Sequence, residues 1–308
     1  MRNEPDPKLA LFIYGALVPG EMAWPFLSSM VSEEPQLASL EDHKLVLVDG
    51  IPTVLPSEGR TVNGSLAKLK NQTHFTQIAR FENVGTYYNW AVCQTSLGPA
   101  NVLVALGQPE KIHEIDKWNS AIDVYFGAAI PYGFSVLSEL APNIKSRRVD
   151  DGTEIYDFLK LQSLYGLYWT LFERILLFEK GATRGKSDTF SSRIREAQKS
   201  DRWLRAIENV QLSPIGCTSN EAPYDVDSKT YAKSKPFETW YCLRNNIVHR
   251  GKGAPKEVNK LMLACIDFHN VLSWYLQQNN ESIRKKWHGE LTIGGTQTYP
   301  DGLYIFST

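Results

Sequence analysis

Leu11-Phe12-Ile13-Tyr14-Gly15-Ala16-Leu17-Val18-Pro19-Gly20 is an apolar run brought to a stop by glycine. Such a run, beginning at Leu9 and ended by Gly15, predicts a buried strand that enters a turn. A glycine turn of this kind is able to point backbone N–H groups at an anion. Further strands are expected on either side of this reading. Lys44–Val48 precedes the turn signal Asp49-Gly50, and Val62–Leu69 alternates with a period close to two. Tyr87–Gln94 and Asn101–Leu106 are separated by Ser96-Leu97-Gly98-Pro99, and Gln72–Phe81 reads as a short helix. Residues 9–106 therefore predict mixed α/β structure around a mainly antiparallel sheet or small barrel.

The pattern changes further along the chain. Lys111–Tyr125 is expected to be helical, and 107–150 reads as a connector that includes Ala141-Pro142 and Lys145-Ser146-Arg147-Arg148. From Asp151 onward the apolar spacing becomes three-and-four: Ile155, Phe158, Leu159, Tyr165, Tyr168, Trp169, Phe172, Leu176. Ser187–Val210 predicts a second, more polar helix. Gln211–Asp227 is a loop rich in Ser, Pro, Gly and Asn. Ser228–Arg250 predicts a third helix, which Pro236 either breaks or starts. Lys256–Asn279 predicts a fourth, and the tail alternates in the manner of a hairpin.

At 308 residues the chain has room for two domains. Cys93, Cys217, Cys242 and Cys265 form no CxxC pair, so separate reduced thiols are expected rather than a disulfide framework or a metal site. The N-terminus lacks an apolar signal core, and no apolar stretch is long enough to span a membrane. Cytoplasmic residence is the expectation, with no cofactor. The net charge of −1 hides an asymmetry. Residues 1–150 hold 12 Lys/Arg against 16 Asp/Glu, a net of −4, and the remainder holds 21 against 18, a net of +3. A mildly basic second half is compatible with RNA contact.

The first segment resembles the gamma-glutamylcyclotransferase-like fold. Tyr14-Gly15-Ala16-Leu17-Val18-Pro19-Gly20 is similar to that family's Tyr-Gly-(Ser/Thr)-Leu-x-Pro-Gly signature. Gly50-Ile51-Pro52-Thr53-Val54 and Val62-Asn63-Gly64-Ser65-Leu66 follow in the family's order. Glu82 falls where the family has the acid/base that cyclises a gamma-glutamyl group to 5-oxoproline. The resemblance implies that the Tyr14, Gly15, Ala16 and Leu17 turn holds the substrate carboxylate. Ala16, Val18, Asn83 and Trp90 depart from the usual pattern, which favours a small-molecule sensor or regulatory pocket over turnover.

The second segment carries Arg244-Asn245-Asn246-Ile247-Val248-His249. On a helix Asn245 and His249 share a face, with Arg244 beside them. Guanidinium, amide and imidazole suit a phosphodiester: the first binds its oxygens, and the last exchanges protons near neutrality. Basic residues at a helix end also stabilise its dipole without any catalytic role. The Arg-x4-His motif within a four-helix segment resembles the HEPN superfamily, with Leu164–Arg174 similar to that family's first long helix. That resemblance implies a homodimer whose paired Arg244, Asn245 and His249 cleave RNA without metal. Arg250 and Lys252 would contact the RNA backbone, and Glu173 and Arg174 are weaker candidates.

The leading reading is thus α+β. A gamma-glutamylcyclotransferase-like mixed sheet or barrel (1–106) is followed by the connector (107–150), an all-α HEPN four-helix bundle (151–280) and a terminal hairpin (281–308). Its function would be that of an endoribonuclease regulated by its first domain, as a toxin or anti-phage defence effector, with an antitoxin or other regulatory partner. The alternative places the chemistry at Glu82 and leaves the helices to dimerisation. A third reading makes both segments binding modules without turnover.

Overall fold

The computed structural model describes residues 4–107, 109, 111–146, 153–180, 189–210, 212–213, 235–250 and 258–285. The chain divides into two compact units, Met1–Val124 with Leu177–Thr183, and Tyr125–Leu176 with Arg184–Thr308.

The opening apolar run forms β1 (Leu11–Ile13), fully buried as expected. It lies between β3 (Ile51–Ala67), to which it is antiparallel, and β5 (Gly98–Ala105), to which it is parallel. Close approach to β3 requires Gly64, where a Cβ would meet the Ile13 carbonyl oxygen and lie 2.6 Å from the Phe12 ring. The remaining strands are β2 (Gln36–Val48), β4 (Tyr88–Thr95) and β6 (His113–Glu114). Their order is β3-β1-β5-β4-β2-β6, and β3 also pairs with β2. The first five strands therefore close into a barrel-like circuit, with β6 on the outside of β2.

Asp49 and Gly50 both adopt positive φ, as a two-residue hairpin of matching twist demands, and they set Val48 opposite Ile51. One apolar set, including Phe12, Tyr14, Leu40, Val54, Val102 and Trp118, forms a core on one face of the strands. A second set gathers Ile13, Leu17, Trp90 and Leu103 with Phe26 and Leu27 from α1 (Trp24–Ser28) and Phe75 and Ile78 from α2 (Thr73–Phe81).

Lys111–Tyr125 is not a helix. Its apolar spacing imitates one, but His113 and Glu114 pair with Leu47 and Val46. Glu114 also takes ion pairs from Lys44 and Arg60. Asn119 then caps a 3-10 turn at Ser120–Ile122. Residues 107–150, read from sequence as a connector, also hold α3 (Ala129–Ser146), which runs through Ala141-Pro142.

The second unit is helical, with α4 (Thr153–Lys180), α5 (Phe190–Ala197), α6 (Asp201–Glu208), α7 (Pro236–Arg250) and α8 (Val258–Asn279). Two short helices replace the single one expected over 187–210, because Ser200 is extended and starts a new helix. Pro236 occupies the first position of α7, where its missing N–H costs nothing. Aromatic rings fill this core: Phe172 stacks on Phe237 at 4.8 Å, and Trp203 on Tyr275 at 3.9 Å. Tyr168 and His269, both buried, share a 2.7 Å hydrogen bond.

Cys93, Cys242 and Cys265 are free thiols. Cys217, Lys252, the 214–227 part of the loop and the tail hairpin lie outside the described residues. No helix among the described residues is long and apolar enough to cross a membrane.

Candidate active site of the first unit

Glu82 owes its position to the way α2 ends. It is the C-cap residue, and Asn83 beyond it is left-handed (φ 52). The Val84 N–H bonds to the Ala79 carbonyl at 2.9 Å, and the Asn83 N–H to that of Arg80 at 3.4 Å. This pair of bonds is a Schellman closure, and Val84 and Ala79 pack against the same core cluster. Asparagine tolerates the left-handed conformation better than most residues, so Asn83 does the work of a glycine here.

Burial raises the Glu82 carboxyl from 4.5 to about 7. A carboxyl near 7 is divided between its acid and base forms at neutral pH.

Two tyrosines share this neighbourhood. Tyr14 follows β1, and its hydroxyl donates to the Leu103 carbonyl at 2.5 Å. Tyr88, at the start of β4, donates to the Pro52 carbonyl at 2.6 Å. Burial, then the Glu82 charge, raises Tyr14. Burial, then the charges of Tyr14 and Glu82, raises Tyr88. Both therefore stay protonated and act as donors.

Gly15 lies against Pro52, with room for a Cβ only 3.1 Å from the proline ring. Its carbonyl accepts the Val18 N–H at 3.1 Å, and that of Ala16 accepts the Ala23 N–H at 2.9 Å. Among the described residues, the N–H groups of Gly15, Ala16 and Leu17 have no acceptor. Three consecutive unspent donors on a turn are available to an anion. Glu82 and the turn predicted from sequence are thus joined through Tyr14, Tyr88 and Pro52. Tyr88 also borders a cleft of about 180 Å³ with Ile51, Thr53, Tyr87 and Leu106. Neither Glu82 nor the turn lines that cleft.

Sequence reasoning assigns no role to Tyr88 or Thr53, although both stand in segments it singles out. Trp90, counted as a departure from the family pattern, is buried in the core, edge-on to Phe75 at 5.7 Å.

In the second unit, α7 is continuous through the arginine–histidine motif. Arg244 and Asn245 are half-buried, and the Arg244 guanidinium lies 5.8 Å from the Tyr241 ring centre. Burial raises Glu173 on α4, and the charges of Arg244 and Arg193 oppose that rise. Arg174 lies over the rings of Tyr125 and Phe126. His249 and Arg250 belong to the helix, but their side chains are outside the described set.

Residues 11–118 match the family model for gamma-glutamyl cyclotransferase, AIG2-like. This supports a cyclotransferase-like domain in the N-terminal part of the chain and favours the cyclotransferase alternative over the nuclease reading. Among solved structures, an uncharacterized protein of Pyrococcus horikoshii, PH0828, is 18% identical with a TM-score of 0.30. That match covers 35% of this chain and 86% of the other. Protein ytfP of Escherichia coli is 23% identical with a TM-score of 0.27, covering 35% and 93%. No curated protein matches the chain. The HEPN reading of the helical unit gains no support from these matches.

Proposed function

We propose that the first unit is a cyclotransferase in which Glu82 is the general base. The observation that carries this reading is a carboxyl raised to about 7 beside two protonated tyrosines. The unspent amides of the Gly15–Leu17 turn complete the arrangement. The substrate class is an α-amino acid whose γ-carboxyl is held in an amide. Its α-carboxylate docks on the amides of Gly15, Ala16 and Leu17. Ionised Glu82 takes a proton from the α-ammonium, and the freed amine attacks the γ-carbonyl carbon. A new C–N bond closes the lactam ring. The original amide C–N bond then breaks; the departing amine takes the proton held by Glu82, and the second proton shed by the ring nitrogen follows through the same carboxylate, so the amine leaves as an ammonium and Glu82 is again ionised. The products are 5-oxoproline and an amine, and no water is consumed. The test is release of 5-oxoproline from gamma-glutamyl amides by the full chain, beside Glu82→Gln. A protein that binds these amides without turnover would make the site a sensor instead.

A second reading rests on α7, which carries Arg244, Asn245 and His249 on one uninterrupted helix of the helical unit. It makes that unit a metal-independent, dimeric HEPN-type ribonuclease. RNA cleavage in EDTA that leaves 2′,3′-cyclic phosphate ends, lost in Arg244→Ala and His249→Ala, is its expected signature. Intact RNA after prolonged incubation removes it.

A further inference from the structure

A second cleft of the first unit lies away from Glu82. It measures about 380 Å³, within the range of small-molecule pockets. Lys8, Lys68, Lys70, Asn71 and Gln72 supply its polar lining, Phe75 and Leu69 belong to its apolar part, and no carboxylate lines it. Three lysines contribute to its lining although residues 1–150 carry a net charge of −4.

Both walls are held before any ligand arrives. Buried Asn101 clamps the 6–9 segment: its Oδ1 accepts the Asp6 N–H at 2.8 Å, and its Nδ2 donates to the carbonyls of Asp6 (2.8 Å) and Leu9 (3.1 Å). Opposite, Leu69 bridges to Val31, and the Lys70 N–H bonds to the Met30 carbonyl at 2.9 Å.

The lysines are only lightly engaged. Lys70 Nζ donates to the Ser29 carbonyl at 2.9 Å, and Lys68 Nζ stands 3.9 Å from an exposed Glu33 carboxylate. Among the described residues the Lys8 ammonium has no partner. Asn71 accepts the Thr73 N–H, so α2 contributes its dipole here rather than free amides.

We propose that this cleft binds a phosphate-bearing small molecule, its phosphate held by Lys8, Lys68 and Lys70 and its body resting towards Leu69 and Phe75. Lysines serve phosphate as point charges, and a preformed wall with an apolar part suits a compact ligand. The cleft and Glu82 lie at opposite ends of α2, roughly 14 Å apart along its axis at the usual rise per residue. The proposal does not depend on the cyclotransferase reading.

Calorimetric titration of the full chain with AMP, adenosine and inorganic phosphate tests it, beside Lys8→Gln and the double variant Lys68→Gln/Lys70→Gln. AMP is expected to bind, adenosine at least tenfold more weakly, and inorganic phosphate detectably at millimolar concentration. Lys8→Gln, an exposed change that does not threaten folding, should weaken AMP about threefold or more, and the double variant about tenfold or more. Both variants must retain the parent circular dichroism. Equal affinity for adenosine and AMP would overturn the proposal, as would unaltered binding in folded Lys8→Gln or no AMP binding at millimolar concentration. Tighter binding of a single-stranded oligonucleotide than of AMP would assign the lysines to nucleic acid and overturn it too.

Discussion

Replacing Glu82 with glutamine removes a group that folding penalises, so the variant is expected to be more stable than the parent where the carboxyl is ionised. Below about pH 4.5 the parent's Glu82 is protonated in both the folded and unfolded chain and costs nothing. As pH rises the unfolded chain ionises first, and the folded state loses stability until about pH 7, beyond which the loss is constant. The rise from 4.5 to about 7 corresponds to roughly 3 kcal/mol at about 1.36 kcal/mol per factor of ten. Glu82 is only half-buried by surface area, and screening brings that to roughly 2 kcal/mol. Urea unfolding at pH 4 and pH 8, followed by tryptophan fluorescence, measures the difference between parent and Glu82→Gln. The two proteins should be nearly equal at pH 4. At pH 8 the variant should lead by roughly 2 kcal/mol, or about 4–8 °C in Tm. An equal difference at both pH values, or a less stable variant at pH 8, would refute the placement of this carboxyl in a desolvated site.

Two further outcomes follow from the same geometry. Gly64→Ala sets a methyl group against the Ile13 carbonyl and the Phe12 ring, and is expected to cost about 3 kcal/mol or lose the folded first unit altogether; thermal unfolding reads it. With Glu82 as base, kcat/KM for 5-oxoproline release should rise with pH through about 7 and then level, since only the ionised carboxyl accepts the proton; a profile flat from pH 5.5 to 8.5 would place the base elsewhere.

Much of the first unit can be read from its residues because its signals are local. The apolar run ended by Gly15, the Asp49-Gly50 turn and the short amphipathic α2 each form where their own sequence directs. Glu82 is legible as a candidate through the resemblance of its segment to the cyclotransferase-like family, where a Glu follows the short helix. Its raised carboxyl is not, since that depends on burial set by tertiary packing. The length of the β2–β3 hairpin is also hidden: Pro52, Pro56 and Gly59 interrupt the alternation of β3, and the register shifts between Glu41 and His43. The misread of Lys111–Tyr125 has a related cause, since pairing with β2 overrides a helix-like spacing. The single helix expected over 187–210 divides at Ser200, whose extended backbone starts a new helix at Asp201. In the helical unit the aromatic face of α4 was plain from its spacing. The partners of those rings were not, because they come from helices distant in sequence.

Chromatographic quantification of 5-oxoproline after incubating the full chain with gamma-glutamyl amides at pH 8, beside Glu82→Gln, tests whether Glu82 is the base of a cyclotransferase. The parent should release 5-oxoproline steadily. The folded glutamine variant should be slower by about 10² or more, in line with loss of a general base, while still binding the substrate. Equal release by the two proteins, or none by the parent despite binding, would contradict that role for Glu82.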